Sequence, residues 1–252
     1  MNDRSDKLFS ARLSDLTEQC RRNNCCTFSS FLDERQCAEA EAWCKRNTGE
    51  LMYRLWGGFP DARRRMLAIY PDYCEDFVEE EYPFVCLTFS YRKEDKLTHR
   101  DFLGTFMGLR LKREVIGDIV VTDGKAQAFF TEVAARLVMS TVTKIGKVGV
   151  KVSDDRPFEL EVVQEYKSIS GTVASLRLDC LVSLAAHMSR ENAASMIRAD
   201  KVDVNHFTAS SVSQELREGD IISVRGSGRF VLSAVKGMSG KGRIHVELLK
   251  YI

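Results

Sequence analysis

The chain has 252 residues, 44% of them hydrophobic and 29% charged, with a formal net charge of +1. That length allows two or three domains with cores of their own, and the balance excludes a disordered chain or a uniformly basic RNA coat. No apolar run of about eighteen residues and no signal-like leader is visible, so a soluble, cytoplasmic protein without a membrane partner is expected. Residues 174–252 hold eleven basic and eight acidic residues, against 26 and 28 in the remainder, so a modest positive excess sits at the C-terminal end. The eight cysteines form no C-x-x-C pair, and the histidines do not complete a zinc spacing. The thiols therefore read as reduced, and neither metal nor cofactor is expected.

In chain order, residues 1–24 read as a helix on Leu8, Leu13 and Leu16. A break at 27–33 caps a second helix near 33–46. Two strand-like runs follow, at 50–56 and 65–70, joined by Gly57-Gly-Phe-Pro60, with Trp56 as an anchor. The acidic stretch 72–81 reads as a solvated face, and a domain boundary is expected at Pro83. From 84 the pattern predicts a strand to 91, a helix over 99–109 capped by Thr98, and strands at 118–122 and 126–130 around Asp123-Gly124. A second helix spans 131–143 with Val133, Leu137, Val138 and Val142 as its apolar stripe, and a last strand spans 147–152. The order β-α-β-β-α-β suits a ferredoxin-like domain over 84–167, the layout shared by RNA-recognition motifs. The chain is thus expected to be a multi-domain α+β protein, with domains at 1–83, 84–167 and 174–252. An extended segment is predicted at 158–166, and Ser168-Ile-Ser-Gly-Thr172 reads as a linker.

The C-terminal region opens with two short helices. Leu178, Leu181, Val182 and Ala185 form one apolar stripe, and Ser189 caps the second helix. Strands are expected at 202–204, 221–225, 229–234 and 244–251, with turns at Asn205-His206, at 217–220 and at Gly226-Ser-Gly228. Arg177, Arg190, Arg198 and Lys201 fall near the helices, and Arg225 and Arg229 flank the glycine break. These six are the candidate RNA-binding residues, because guanidinium groups grip phosphate bidentately and glycine lets RNA approach the backbone.

Arg177-Leu-Asp179, Ser189-Arg190, Ile197-Arg198, Lys201-Val-Asp-Val-Asn205 and Glu218-Gly-Asp-Ile-Ile-Ser-Val-Arg225 resemble the S-four RNA-binding domain, named after small-subunit ribosomal protein four. The resemblance departs at Asp200 and His206, where that domain usually carries glycine. Upstream, Leu32-Asp-Glu-Arg35, Gly57-Gly-Phe-Pro-Asp-Ala62, His99-Arg-Asp-Phe-Leu-Gly104 and Arg113-Glu-Val-Ile-Gly-Asp-Ile119, together with Arg225-Gly-Ser-Gly-Arg-Phe230, resemble the YlmH family. Here Arg63-Arg64 stands where that family usually has Glu-Arg. The resemblance implies a monomeric factor that binds structured RNA (ribosomal RNA, with tRNA as a further candidate). It also implies association with the large ribosomal subunit and a part in the quality control of stalled peptidyl-tRNA. An RNA-modifying enzyme and a division-linked interaction protein are the alternatives.

Catalysis is not expected. His99, Asp101 and Asp118 can be read as an acid–base group, but Asp101 suits the first turn of a helix, where a carboxylate meets the positive end of the dipole. Asp179 lies in an Arg-Leu-Asp run like that of pseudouridine synthases, yet those enzymes place the S-four module ahead of a catalytic domain. Here Asp179 is expected to orient Arg177 or cap its helix. Phe84, Phe89, Phe129 and Phe130 are candidate stacking platforms for bases, and the central domain is expected to share RNA binding with the module.

Overall fold

The computed structural model describes residues 3–74, 79–154, 157–160, 165–240 and 242–252. The chain divides into two compact units, Met1–Val162 and Val163–Ile252.

The first unit begins with helix α1 (Asp3–Asn23), strand β1 (Thr27–Phe28), helix α2 (Glu34–Asn47), and strands β2 (Met52–Trp56) and β3 (Met66–Tyr70). Asp33 starts α2 through a reciprocal capping box: its carboxylate accepts from the Gln36 N–H at 2.9 Å, and the Gln36 amide oxygen accepts from the Asp33 N–H at 3.0 Å. β3 lies between β1 and β2, and the helices close over this small sheet on Leu13, Cys37, Ala40, Cys44, Leu67 and Ile69. Of the acidic stretch, Asp72, Glu80 and Glu81 are exposed and Glu79 pairs with Arg54; Glu75 and Asp76 lie outside the described residues.

Next come β4 (Phe84–Ser90), α3 (His99–Gly108), β5 (Ile116–Thr122), β6 (Lys125–Thr131) and α4 (Glu132–Thr141). They are followed by β7 (Lys144–Ile145), β8 (Val148–Gly149) and β9 (Lys151–Ser153). The sheet order is β5-β6-β4-β9, antiparallel throughout, which is the ferredoxin-like arrangement. The predicted run at 147–152 is split between β8, which pairs with β7, and the start of β9. Phe89, Phe102, Phe106, Phe130 and Val138 fill the core between the sheet and its helices. The stripe predicted on α4 is corrected. Val133 and Leu137 are exposed, and the small residues Ala134 and Ala135 lie buried beside Val138.

The boundary expected at Pro83 falls inside the first unit. Phe31, Phe59, Ala62 and Met66 share one apolar cluster with Tyr82, Phe84 and Phe129, so residues on both sides of Pro83 build a single core.

The second unit runs β10 (Tyr166–Val173), α5 (Leu178–Ala185), α6 (Arg190–Arg198), β11 (Val202–Val204) and β12 (Phe207–Thr208). β13 (Ile221–Val224), β14 (Gly228–Met238) and β15 (Ile244–Tyr251) complete it, in the sheet order β10-β15-β14-β13-β11-β12. The expected linker at 168–172 is instead part of β10. That strand pairs with β15 from Tyr166↔Tyr251 to Val173↔Ile244. The strand closes the module because Ile169 and Val173 join its core. Gly171 lets α5 approach, since a Cβ there would meet Leu184 Cδ1 at 2.5 Å.

Candidate nucleic-acid interface

α5 starts at Arg177, which occupies the N-cap position, and Asp179 sits in its first turn. The Asp179 carboxylate is buried, yet two guanidinium groups reach it. Its Oδ1 accepts from Arg177 Nε at 3.2 Å, and its Oδ2 accepts from Arg190 Nε at 3.2 Å and Nη2 at 2.6 Å. Burial alone pushes the Asp179 pKa up. The hydrogen bonds and charges of Arg190 and Arg177 outweigh it and hold the carboxyl below the ordinary range. Ser189 fixes the start of α6 by accepting from the Asn192 N–H at 3.1 Å. The arginine side chains remain 40% and 54% exposed. Each guanidinium has five N–H donors, and these bonds use one from Arg177 and two from Arg190. The result is two oriented cations at the surface, held from beneath by one carboxylate.

Lys201 and Arg225 form a second group. α6 ends in a Schellman motif: the Asp200 N–H donates to the Ile197 carbonyl and the Lys201 N–H to the Met196 carbonyl, both at 3.1 Å. Arg198 is the last residue of that helix, and Lys201 follows the turn. The Arg225 N–H then donates to the Lys201 carbonyl at 2.9 Å, which brings the two basic residues together. All three side chains are exposed. Gly226 and Gly228 turn the chain at φ 85° and 112°, so the glycine break is a tight loop that a side chain would strain.

Arg229 lies on β14, opposite Ser223, with its guanidinium 5.5 Å from the centre of the Tyr251 ring. Tyr251 meets Tyr166 at 5.0 Å, edge to face, and Tyr166 is exposed. Arg229, Tyr251 and Tyr166 thus form a row across three strands, an arginine beside two edge-to-face aromatics that suits an unpaired base. The two tyrosines escaped the sequence reading because their pairing depends on β10, whose composition reads as a linker.

The stacking platforms expected in the central domain are not available. Phe89 and Phe130 are buried on the helix side of the sheet. Phe84 and Phe129 face the other side, where Phe31 lies 5.3 Å from Phe84, and Phe59 and Phe158 lie 5.9 and 5.3 Å from Phe129. Gln127 pins residues 157–160 over this face. Its amide nitrogen donates to the Pro157 carbonyl at 2.8 Å, and its oxygen accepts from the Glu159 and Leu160 N–H groups. Protein rings therefore occupy the surface that an RNA-recognition motif offers to bases.

Three comparisons with known proteins bear on these sites. Residues 78–159 match a family model described as "Putative RNA-binding domain in YlmH". The "Ribosome-associated protein quality control protein P2" of Bacillus subtilis (strain 168) is 30% identical over 194 residues, covering 75% of this chain and 74% of that one. The chain belongs to the YlmH family. A solved structure titled "Cell division protein ylmH from Streptococcus pneumoniae" shares the fold at a TM-score of 0.53. It is 19% identical and covers 61% of this chain and 92% of its own.

The places where this YlmH-family chain departs from the expected motifs have structural accounts. Asp200 and His206 keep the left-handed backbone that glycine would supply, at φ 54° and 72°. Arg63 is exposed, and its backbone N–H and that of Arg64 donate to Asp118 Oδ2 at 2.5 and 3.3 Å. Arg64 turns inward and donates to the carbonyls of Ile116, Phe31 and Arg113. Asp118 thus clamps the 57–64 loop to β5, while burial raises its pKa against the effect of those N–H groups. Asp101 accepts from the Thr98 N–H and hydroxyl at 2.8 and 2.7 Å. Burial and the nearby Arg113 charge lower the His99 pKa, which favours the neutral imidazole. Asp101 and Asp118 each have a local structural task.

Proposed function

We propose that the protein is a non-catalytic RNA-binding factor that docks on the large ribosomal subunit through its S-four module and serves the quality control of stalled peptidyl-tRNA. The observation that carries this reading is the Arg177–Asp179–Arg190 arrangement. A buried carboxylate that orients two exposed guanidinium groups builds a receptor for phosphate oxygens, and phosphate contacts supply most of the sequence-independent affinity for RNA. Arg198, Lys201, Arg225 and Arg229 extend the basic surface along the module. The similarity to a Bacillus subtilis protein named for ribosome-associated quality control supports the ribosomal setting. In this reading the protein is a cytoplasmic monomer, and its ligand is structured ribosomal RNA, with tRNA as a second contact. Among the described residues no helix is long and apolar enough to cross a membrane.

Sedimentation of lysates through a sucrose gradient tests the proposal. The protein is expected in the large-subunit fractions at low salt, and an Arg190/Arg198/Lys201 triple alanine variant is expected to shift to the top. A wild-type protein that never enters the ribosomal fractions contradicts it.

A further inference from the structure

A cavity of about 530 Å³ lies in the first unit between α1, the chain leading from β1 into α2, and the short turn Arg113–Val115. That is the size of a small-molecule site. Phe9, Leu13 and Leu16 from α1, with Phe28 at the end of β1 and Phe31 from the connection, supply apolar and aromatic walls. Arg12, Arg64, Lys112 and Arg113 supply the cations.

The cations are only partly offset within the protein: Lys112 pairs with Glu114, and Asp33 and Asp118 act on Arg64 without a hydrogen bond to its guanidinium. The Arg64 guanidinium donates to three carbonyl oxygens, at 2.8, 3.2 and 2.8 Å, so neutral dipoles rather than a carboxylate hold it. Arg113 Nη1 is buried and has no hydrogen-bond partner. Burying a donor without an acceptor is costly, and Arg113 is one of the residues that line the cavity. The two guanidinium groups also lie close enough for Arg113 to add to the effect of burial in lowering the Arg64 pKa. Three carboxylates line the same cavity. Asp33 is engaged in capping α2, Glu114 lies 3.6 Å from Lys112 Nζ, and Asp15 stands on α1.

We propose that this cavity binds a phosphorylated nucleoside, with the phosphate on Arg113, Arg64 and Lys112 and the planar base against the phenylalanine wall. A phosphate offers oxygen acceptors to the guanidinium and ammonium donors and adds negative charge beside four cations. A base has the flat apolar faces that phenylalanine stacks on. Asp15 and Gln19 add polar groups that suit ribose hydroxyls or base N–H groups. The source of the ligand is a free nucleotide or the phosphorylated end of an RNA strand. None of these residues is among the basic residues assigned to docking in the S-four module.

Isothermal titration of the full chain tests this with adenosine and guanosine monophosphates, the corresponding nucleosides, inorganic phosphate, and short oligoribonucleotides with and without a 5′-phosphate. A mononucleotide is expected to bind at least about tenfold more tightly than its nucleoside or inorganic phosphate, since charge-assisted bonds carry the discrimination. Arg113→Gln and the cavity-filling Leu16→Trp are each expected to weaken binding about tenfold or more, while the Arg190/Arg198/Lys201 variant leaves it unchanged. If either core variant fails to unfold cooperatively, the exposed Lys112→Ala decides in its place. Tighter binding of the 5′-phosphorylated oligonucleotide identifies an RNA end, and tighter binding of the mononucleotide identifies a free nucleotide. The proposal is overturned if no nucleotide binds saturably, if binding survives these substitutions, or if the module variant abolishes it.

Discussion

Asp179 and Arg190, eleven residues apart, meet through two hydrogen bonds to one carboxylate oxygen, at 2.6 and 3.2 Å. The pair ties the first turn of α5 to the first turn of α6 and sets the direction of a cation that lies on the surface. Asp179→Asn removes the charge and leaves both arginines without their anchor. The variant is expected to lose about 1–2 kcal/mol at neutral pH, below the usual cost of breaking a buried pair because both arginines are half-exposed. The pH dependence has a definite sign. The folded pKa of Asp179 is depressed, so its contribution is complete above the ordinary carboxylate pKa of about 3.9 and disappears as pH falls through the folded value. Denaturant unfolding at pH 7 and at pH 3 checks this. The gap between wild type and Asp179→Asn is expected at pH 7 and to shrink at pH 3.

Gly58 sits at φ +98°, and a Cβ there would come 2.1 Å from Phe129 Cε1. Phe129 cannot retreat, because Phe59, Phe84 and Phe158 surround its ring. Gly58→Ala is therefore expected to cost about 2–4 kcal/mol, overpacking plus left-handed strain. Thermal unfolding measures it. RNA affinity of the folded fraction is expected to stay unchanged, since protein rings already cover that face of the central sheet.

Both helices of the module end in a Schellman motif with a non-glycine residue at the left-handed position: His187 at φ 51° after α5 and Asp200 at φ 54° after α6. Glycine relieves about 1–2 kcal/mol of strain there and returns roughly half of it as unfolded-state entropy. His187→Gly is expected to stabilise the protein by about 0.5–1 kcal/mol, and Asp200→Gly by less, because Asp tolerates this backbone better. An upward shift of the unfolding midpoint checks it.

Burial pushes the Cys86 thiol up to about 12 and the Cys44 thiol up to about 11. Burial and the neighbouring Cys74 do the same for Cys26, to about 11. Cys25 is exposed. Since the thiolate is the reactive form, iodoacetamide at pH 8 is expected to label Cys25 first and leave Cys26 beside it largely unmodified. Peptide mass spectrometry after short exposure reads this directly.

The parts of the fold legible in the sequence were those set by neighbours. The Asp33 cap, the Asp123-Gly124 hairpin, and the order of strands and helices from 84 onward all follow from local chemistry. The parts that were not legible depend on distant partners. β10 reads as a linker because Ser168, Ser170, Gly171 and Thr172 are turn formers, and only β15, nearly eighty residues later, makes it a strand. The α4 stripe misled because the residues that pack there are alanines. Phe84 and Phe129 read as base platforms, but Phe31, Phe59 and Phe158, distant in sequence, pack against them. At the candidate site, all six basic residues could be listed from their types and positions, and Asp179 was expected to orient Arg177. The grip of Asp179 on Arg190 could not be read, since it requires knowing how α5 and α6 cross.

The salt dependence of RNA binding tests the central claim most directly. Each phosphate contact contributes close to one unit to the slope of log affinity against log salt for duplex nucleic acid, and somewhat less for single strands. Fluorescence titrations with ribosomal RNA fragments at several salt concentrations are expected to show a slope for the Arg190/Arg198/Lys201 triple alanine variant that is shallower by about two to three units than wild type. An unchanged slope would contradict the assignment of these residues as the phosphate-binding surface.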